Sequence, residues 1–226
     1  MNTNMNLKPR FLNMTGEYDL TNFMFDGLGL LIIIFSCFFI YFKTKKLETL
    51  SSHKGIEYFR KAFFFFGLSF LIRLIGHFFR YLQITNFDFK FFMDLQILLN
   101  FIASAYILYS LFWKKFNKEW LIYVGSIIIL SLLKLAPKNK WFFISVLPIF
   151  VFAFMFFLGK KYMKTKNKIS RQILIIYMFL VSSWIISGFG MFFTRIFDIE
   201  RFYISYFLAI VFIMILYRVI EITKVK

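Results

Sequence analysis

The chain has 226 residues, of which 60% are apolar, 23% aromatic and 17% charged, with a mean hydropathy of +0.71. A soluble domain carries about 45–50% apolar and roughly 25% charged residues, so this chain has too little polar surface to clothe a water-soluble globule. Composition excludes a soluble enzyme, a disordered tail, a disulfide scaffold and a collagenous chain, and leaves a polytopic helical membrane protein.

A helix that crosses the bilayer needs about 20 mostly apolar residues. The first twenty positions are polar and mixed in charge, and no small-residue cleavage pattern follows the first apolar run, so no removed leader is expected. Apolar runs then recur at 22–42, 59–82, 89–113, 119–136, 141–158, 170–193 and 201–221. They predict an all-α, seven-transmembrane-helix bundle forming a single domain over 1–226. The fourth and fifth runs are short and barely separated by 136–140, which leaves a six-span alternative. The runs are apolar on all sides instead of alternating at period two, so a barrel is not expected.

The net charge of +17, from 28 basic and 11 acidic residues, would in a soluble protein point to nucleic acid. Here it follows topology, and no nucleic-acid partner is expected. One set of alternate connections holds Lys43, Lys45, Lys46, Lys160, Lys161, Lys164, Lys166 and Lys168, while the other holds Lys8, Arg10, Lys134, Lys138 and Lys140. The first side carries about twice the basic residues of the second, which by the positive-inside rule puts the N-terminus outside and the C-terminus in the cytoplasm of a cell-membrane protein. The bilayer is thus the first partner, and the basic side also attracts anionic headgroups.

Cys37 is the single cysteine and lies inside the first run, so it reads as a packing residue and not as part of a redox pair or thiolate cluster. The 37 Phe residues, with abundant Ile, Lys and Asn, match AT-rich coding, so the run Phe63-Phe64-Phe65-Phe66 is not an aromatic binding box. Trp113, Trp120 and Trp141 fall near span ends, where amphipathic rings anchor at the headgroups.

Several chemistries have fixed residue requirements that are not met. No lysine lies within 202–220 to carry a retinal Schiff base, and His53 and His77 are the only histidines, which is too few for bis-imidazole haem within the membrane. The ligand set for a membrane zinc hydrolase is missing, a serine nucleophile has no second suitable base, and no Pro-Gln pair of the kind found in one family of sugar transporters occurs. No catalytic residue, metal site or cofactor is therefore assigned.

Ionisable groups within spans are costly, about +2.5–3.5 kcal/mol at a helix centre, and mark functional sites or partnered helices. On the second span Arg73, His77 and Arg80 stand at i, i+4 and i+7, which stacks them on one face. The third span offers Asp94, Gln96 and Asn100, and pairing Arg73 or His77 with Asp94 would reduce the desolvation cost. Arg195, Tyr203 and Tyr206 belong to the same outer level, with Asp26, Lys134 and Asp198 as further outer-half groups. Together they predict an outward-facing polar pocket for a small-molecule ligand or solute, or else a structural ion pair. The inner halves of the spans look poorly supplied with polar groups. Ser183, Ser187, Gly190 and Thr194 have the spacing of a close helix contact, and Arg218 and Glu221 pair at i, i+3 near the end of the last span.

The leading functional expectation is a small-ligand sensor or receptor-like module that reports inward through a protein partner in the membrane or cytoplasm. A small-solute transporter and a non-catalytic scaffold subunit are the alternatives. A membrane enzyme is disfavoured because no acid–base pair or phosphate-binding motif stands out.

Overall fold

The computed structural model describes residues 20–51, 54–82, 89–112, 118–135, 175–180, 182, 183, 186 and 201–224. Five helices are formed there: α1 (Leu20–Ser51), α2 (Lys54–Tyr81), α3 (Phe89–Phe112), α4 (Trp120–Leu135) and α5 (Arg201–Lys224). A helical stretch at 175–180 joins them, and no strand occurs among the described residues. Four of the helices hold segments long and apolar enough to cross a membrane, at Phe23–Lys45, Lys54–Tyr81, Lys90–Ser110 and Tyr203–Thr223. That is the pattern of a multi-pass membrane protein. The run expected at 141–158 lies outside the described residues, and the one at 170–193 is described only in part.

The helices outrun the apolar segments. α1 continues through the basic stretch to Ser51, and α2 begins at Lys54, ahead of the hydropathic limit at 59. Hydropathy marks where lipid ends, whereas a nucleated helix propagates through good helix formers such as Lys, Leu and Glu. α4 is short. Its 16 residues rise about 24 Å at 1.5 Å per residue, less than the roughly 30 Å of hydrocarbon.

α1 packs against α2 and α5, α2 also against α3, and α4 against α3, while rings of α5 and α4 also reach α2. On α1, Leu30, Ile33, Ile34, Cys37 and Ile40 are buried, while Leu28, Leu31, Ile32, Phe35, Phe39 and Phe42 are exposed. The buried set recurs at three- and four-residue steps, so one stripe meets the bundle. The exposed set is equally apolar, which suits a helix whose other face meets lipid tails.

Two glycines allow the closest approaches. A Cβ on Gly29 would sit 3.2 Å from the Ser205 carbonyl carbon and Cβ on α5, and one on Gly67 would sit 3.2 Å from the Phe38 ring on α1. Midway along the bundle, the Phe212 ring meets Phe66 at 6.3 Å and Phe70 at 5.6 Å, both edge-on. Such offset geometry suits the ring quadrupoles. Phe63, Phe66, Phe70 and Phe212 are all buried, so the described middle is a tightly packed aromatic layer.

Hydroxyls inside the helices are satisfied locally. Ser36 donates to the Ile32 carbonyl (2.8 Å), Thr44 to Ile40 (2.7 Å) and Ser126 to Ile122 (2.7 Å). Each bonds four residues back along its own turn, so it can face apolar surroundings without an external partner.

Candidate functional site

α2 carries polar groups at both ends and rings between them. Its C-terminal end is called here the His77 end, and its N-terminal end the Lys61 end.

At the His77 end, three helices meet on one carboxylate. Asp26 of α1 is buried at 3% exposure. The Ser205 hydroxyl of α5 donates to its Oδ1 at 2.6 Å, and His77 Nδ1 of α2 lies 3.6 Å from its Oδ2. The close approach at Gly29 brings α5 near enough for the serine to reach. At 2.6 Å this is a short O–H···O bond. The 3.6 Å contact is in the range of an ion pair and beyond that of a direct hydrogen bond. The carboxylate is in the middle of this set. A serine nucleophile requires the imidazole to stand between hydroxyl and carboxylate, so the arrangement is a charge site and not an acyl-transfer triad.

Of the residues marked out by sequence, His77 stands in this junction, and the other described ones lie along α2, α3 and α5. Arg73 is half-buried one turn before His77, and Asp94 is buried on α3. Gln96 is half-buried, and its backbone carbonyl accepts from Ser69 of α2 at 3.3 Å, tying α2 to α3. The Asn100 carbonyl accepts from Ser104 at 2.8 Å. On α5, Tyr203 turns outward at 59% exposure, and the Tyr206 ring meets Phe25 edge-on at 6.3 Å. Arg195 lies outside the described residues. The partner of His77 on α1, Asp26, was among the outer-half groups in the sequence, but no spacing rule linked it to His77. Ser205 had no signal at all.

The Lys61 end corrects the expectation that this half of the bundle is poor in polar groups. Lys61 Nζ lies 2.7 Å from Glu57 Oε1 and 3.0 Å from Glu119 Oε2, the second just ahead of α4. The rings of Tyr58 and Tyr106 each present a face to the same ammonium at 5.8 Å, close enough for cation–π attraction. The Tyr106 and Tyr123 hydroxyls pair at 2.6 Å, and Tyr109 donates to the Lys118 carbonyl at 3.2 Å. Deeper in, Ser110 of α3 pairs with Tyr177, whose ring also meets Phe59 edge-on. Nearby, Arg60 Nε lies 2.7 Å from Glu48 Oε2, with its guanidinium over the Tyr41 ring at 5.1 Å, which clamps α2 to the end of α1. One signal in the sequence points to this cluster: Glu57 and Lys61 stand at i, i+4, the spacing of a helical ion pair.

Among the described residues no group of three or more His, Cys, Asp or Glu is arranged to hold a metal ion. No family model matches the chain, and neither the curated proteins nor the solved structures contain a match.

Proposed function

We propose that this chain is a seven-span sensor or receptor-like module of the cell membrane, with the His77 end facing outward as its input. The observation that carries the reading is the buried Asp26 carboxylate, on which α1, α2 and α5 converge through His77 and Ser205. A side chain that ordinarily changes charge between about pH 5 and 8 stands beside that carboxylate. Any small polar solute, or a proton, that alters the balance at Asp26 acts on three helices together. Arg73, Arg80 and Tyr81 on α2, Lys90 and Asp94 on α3, and Tyr203 and Tyr206 on α5 are among the other charged or titratable groups at this end. With Gln96, Asn100 and Arg195 they make up the proposed ligand-contacting set.

Helix directions support the span count. α4 starts at the Lys61 end, where Glu119 meets Lys61, and α5 starts at the His77 end, where Ser205 meets Asp26. If α4 crosses, an even number of crossings lies between them, and the 141–158 and 170–193 runs supply two. The sensor reading is favoured over transport because the buried rings of Phe63, Phe66, Phe70 and Phe212 occupy much of the described middle, where the hydroxyls of Ser69 and Ser104 bond backbone carbonyls. A transport site would need polar lining near the midplane.

The test uses the full chain in proteoliposomes, with Cys37 replaced by alanine and spin labels at Leu20 and Leu82, both exposed at the His77 end. The separation between labels is expected to change between external pH 5 and pH 8 (about the imidazole range) and to stop changing in His77→Gln. A separation that ignores pH in the parent protein removes the proton as input. Passage of protons into the vesicle lumen, followed with a trapped dye, would move the assignment to transport.

A further inference from the structure

We propose that α4 is a movable element latched to the bundle through Lys61, with Glu57 as the second seat that lets the latch open. The proposal is independent of the sensor reading, because every group in it lies at the Lys61 end.

α4 is weakly held by packing. Of its described side chains Ile122 and Ser126 are buried, whereas Trp120, Leu121, Tyr123, Val124, Ile127 and Ile128 are exposed. Among the described helices its backbone packs closely against α3, and its Tyr123 ring also meets Phe65 of α2 edge-on at 6.4 Å. Among the described residues, the contacts that fasten it are gathered at its start, where Ile122 is buried, Tyr123 meets the Phe65 and Tyr106 rings edge-on, and three polar contacts join them. The polar contacts are the Lys61–Glu119 ion pair at 3.0 Å, the bond from Tyr109 to the Lys118 carbonyl at 3.2 Å, and the Tyr106–Tyr123 hydroxyl pair at 2.6 Å. A helix fastened mainly at one end, with mostly exposed apolar side chains among those described beyond it, is suited to swing about that end.

Lys61 supplies the switch. Its ammonium is shared between Glu57 on its own helix at 2.7 Å and Glu119 at the start of α4, over two tyrosine faces. Abandoning a half-buried ammonium would oppose any opening. Here the charge is not abandoned: when Glu119 withdraws, Glu57 and both ring faces stay with it. Glu57 also repels Glu119. One carboxylate therefore closes the latch, and the other makes opening affordable.

The two carboxylates then have opposite effects. Glu119→Gln removes the attraction that holds α4 and raises the open population. Glu57→Gln leaves Glu119 as the remaining carboxylate for Lys61 and lowers that population. A cluster that merely stabilised the fold would respond with the same sign to both. All three side chains are 29–38% exposed, so each change is expected to be about two- to fivefold, as for partly exposed ion pairs.

The experiment places the full chain, Cys37 replaced by alanine, in lipid nanodiscs with spin labels at Phe35 of α1 and Ile128 of α4, both exposed. Pulsed dipolar distances give the populations, and circular dichroism checks that each variant keeps its helices. Opposite shifts for Glu57→Gln and Glu119→Gln support the latch, and shifts of the same sign, or none, overturn it. A salt series on the parent protein, from about 0.05 to 1 M, needs no variant. Because the direct Lys61–Glu119 contact that closes the latch is an ion pair, the open population is expected to respond to screening over that range, and a population indifferent to salt also overturns the proposal.

Discussion

Asp26 and Ser205 are 179 positions apart in the chain and are joined by a 2.6 Å hydrogen bond from the serine hydroxyl to the carboxylate. That bond fixes the register of α5 against α1 at the level where His77 approaches from α2. The hydroxyl bonds a carboxyl oxygen at a buried site, which raises its value, whereas helices in lipid find substitute partners when separated, which lowers it. Ser205→Ala is expected to cost about 1–2 kcal/mol. Unfolding in mixed detergent micelles measures it, and a loss near zero would mean the bond does not hold α5 in place.

The four long apolar helices were legible in the sequence because twenty apolar residues in a row have few other uses. Their ends were not, since the helical continuation of α1 to Ser51 is written in helix propensity and not in hydropathy. The shared face of Arg73, His77 and Arg80 follows from spacing on one helix. Its meeting with Asp26 depends on how α1 and α2 pack, and no local pattern encodes that. The Lys61 cluster was hidden for a different reason. Positive charge at a span edge is expected from topology alone, and that explanation left no reason to look for Glu119 across the α3–α4 connection.

The glycines give a matched pair of substitutions. A Cβ at Gly29 would press on Ser205 backbone at 3.2 Å, and backbone within a packed helix yields little, whereas a Cβ at Gly125 meets nothing within 4 Å. Gly29→Ala is expected to lose about 1–3 kcal/mol through overpacking. Gly125→Ala is expected to be neutral or to gain up to about 1 kcal/mol from helix propensity. Thermal midpoints of the two variants in the same detergent compare them directly, and equal midpoints would refute the close α1–α5 contact.

The Ser110–Tyr177 pair predicts an asymmetry. Ser110 also bonds the Ile107 carbonyl at 2.7 Å within its own helix, so its hydroxyl has a second use, and both side chains are buried. Tyr177→Phe removes one bond and leaves Ser110 satisfied. Ser110→Ala leaves the tyrosine hydroxyl without that acceptor. The serine change is therefore expected to cost about 1–3 kcal/mol, against about 0.5–1.5 kcal/mol for the tyrosine change. The reverse order in an unfolding assay would show that the tyrosine hydroxyl has somewhere else to go.

Phe212 and Phe35 distinguish a ring that packs in the bundle from one that meets lipid. Phe212 is 1% exposed, with its ring against Phe66 and Phe70, while Phe35 is 71% exposed. In water, truncating a core Phe costs about 3–5 kcal/mol, much of it lost transfer free energy. Within a bilayer the unfolded reference is apolar too, so that transfer contribution largely disappears. What remains is dispersion and two edge-on ring contacts, each worth about 0.5–1.5 kcal/mol. Phe212→Ala is accordingly expected to cost about 1–3 kcal/mol in a lipid-based unfolding assay, and Phe35→Ala close to nothing. A large loss at Phe35 would mean that another surface covers this face of α1 in the membrane, and a negligible loss at Phe212 would undo the packed aromatic layer on which the choice of sensor over transporter depends.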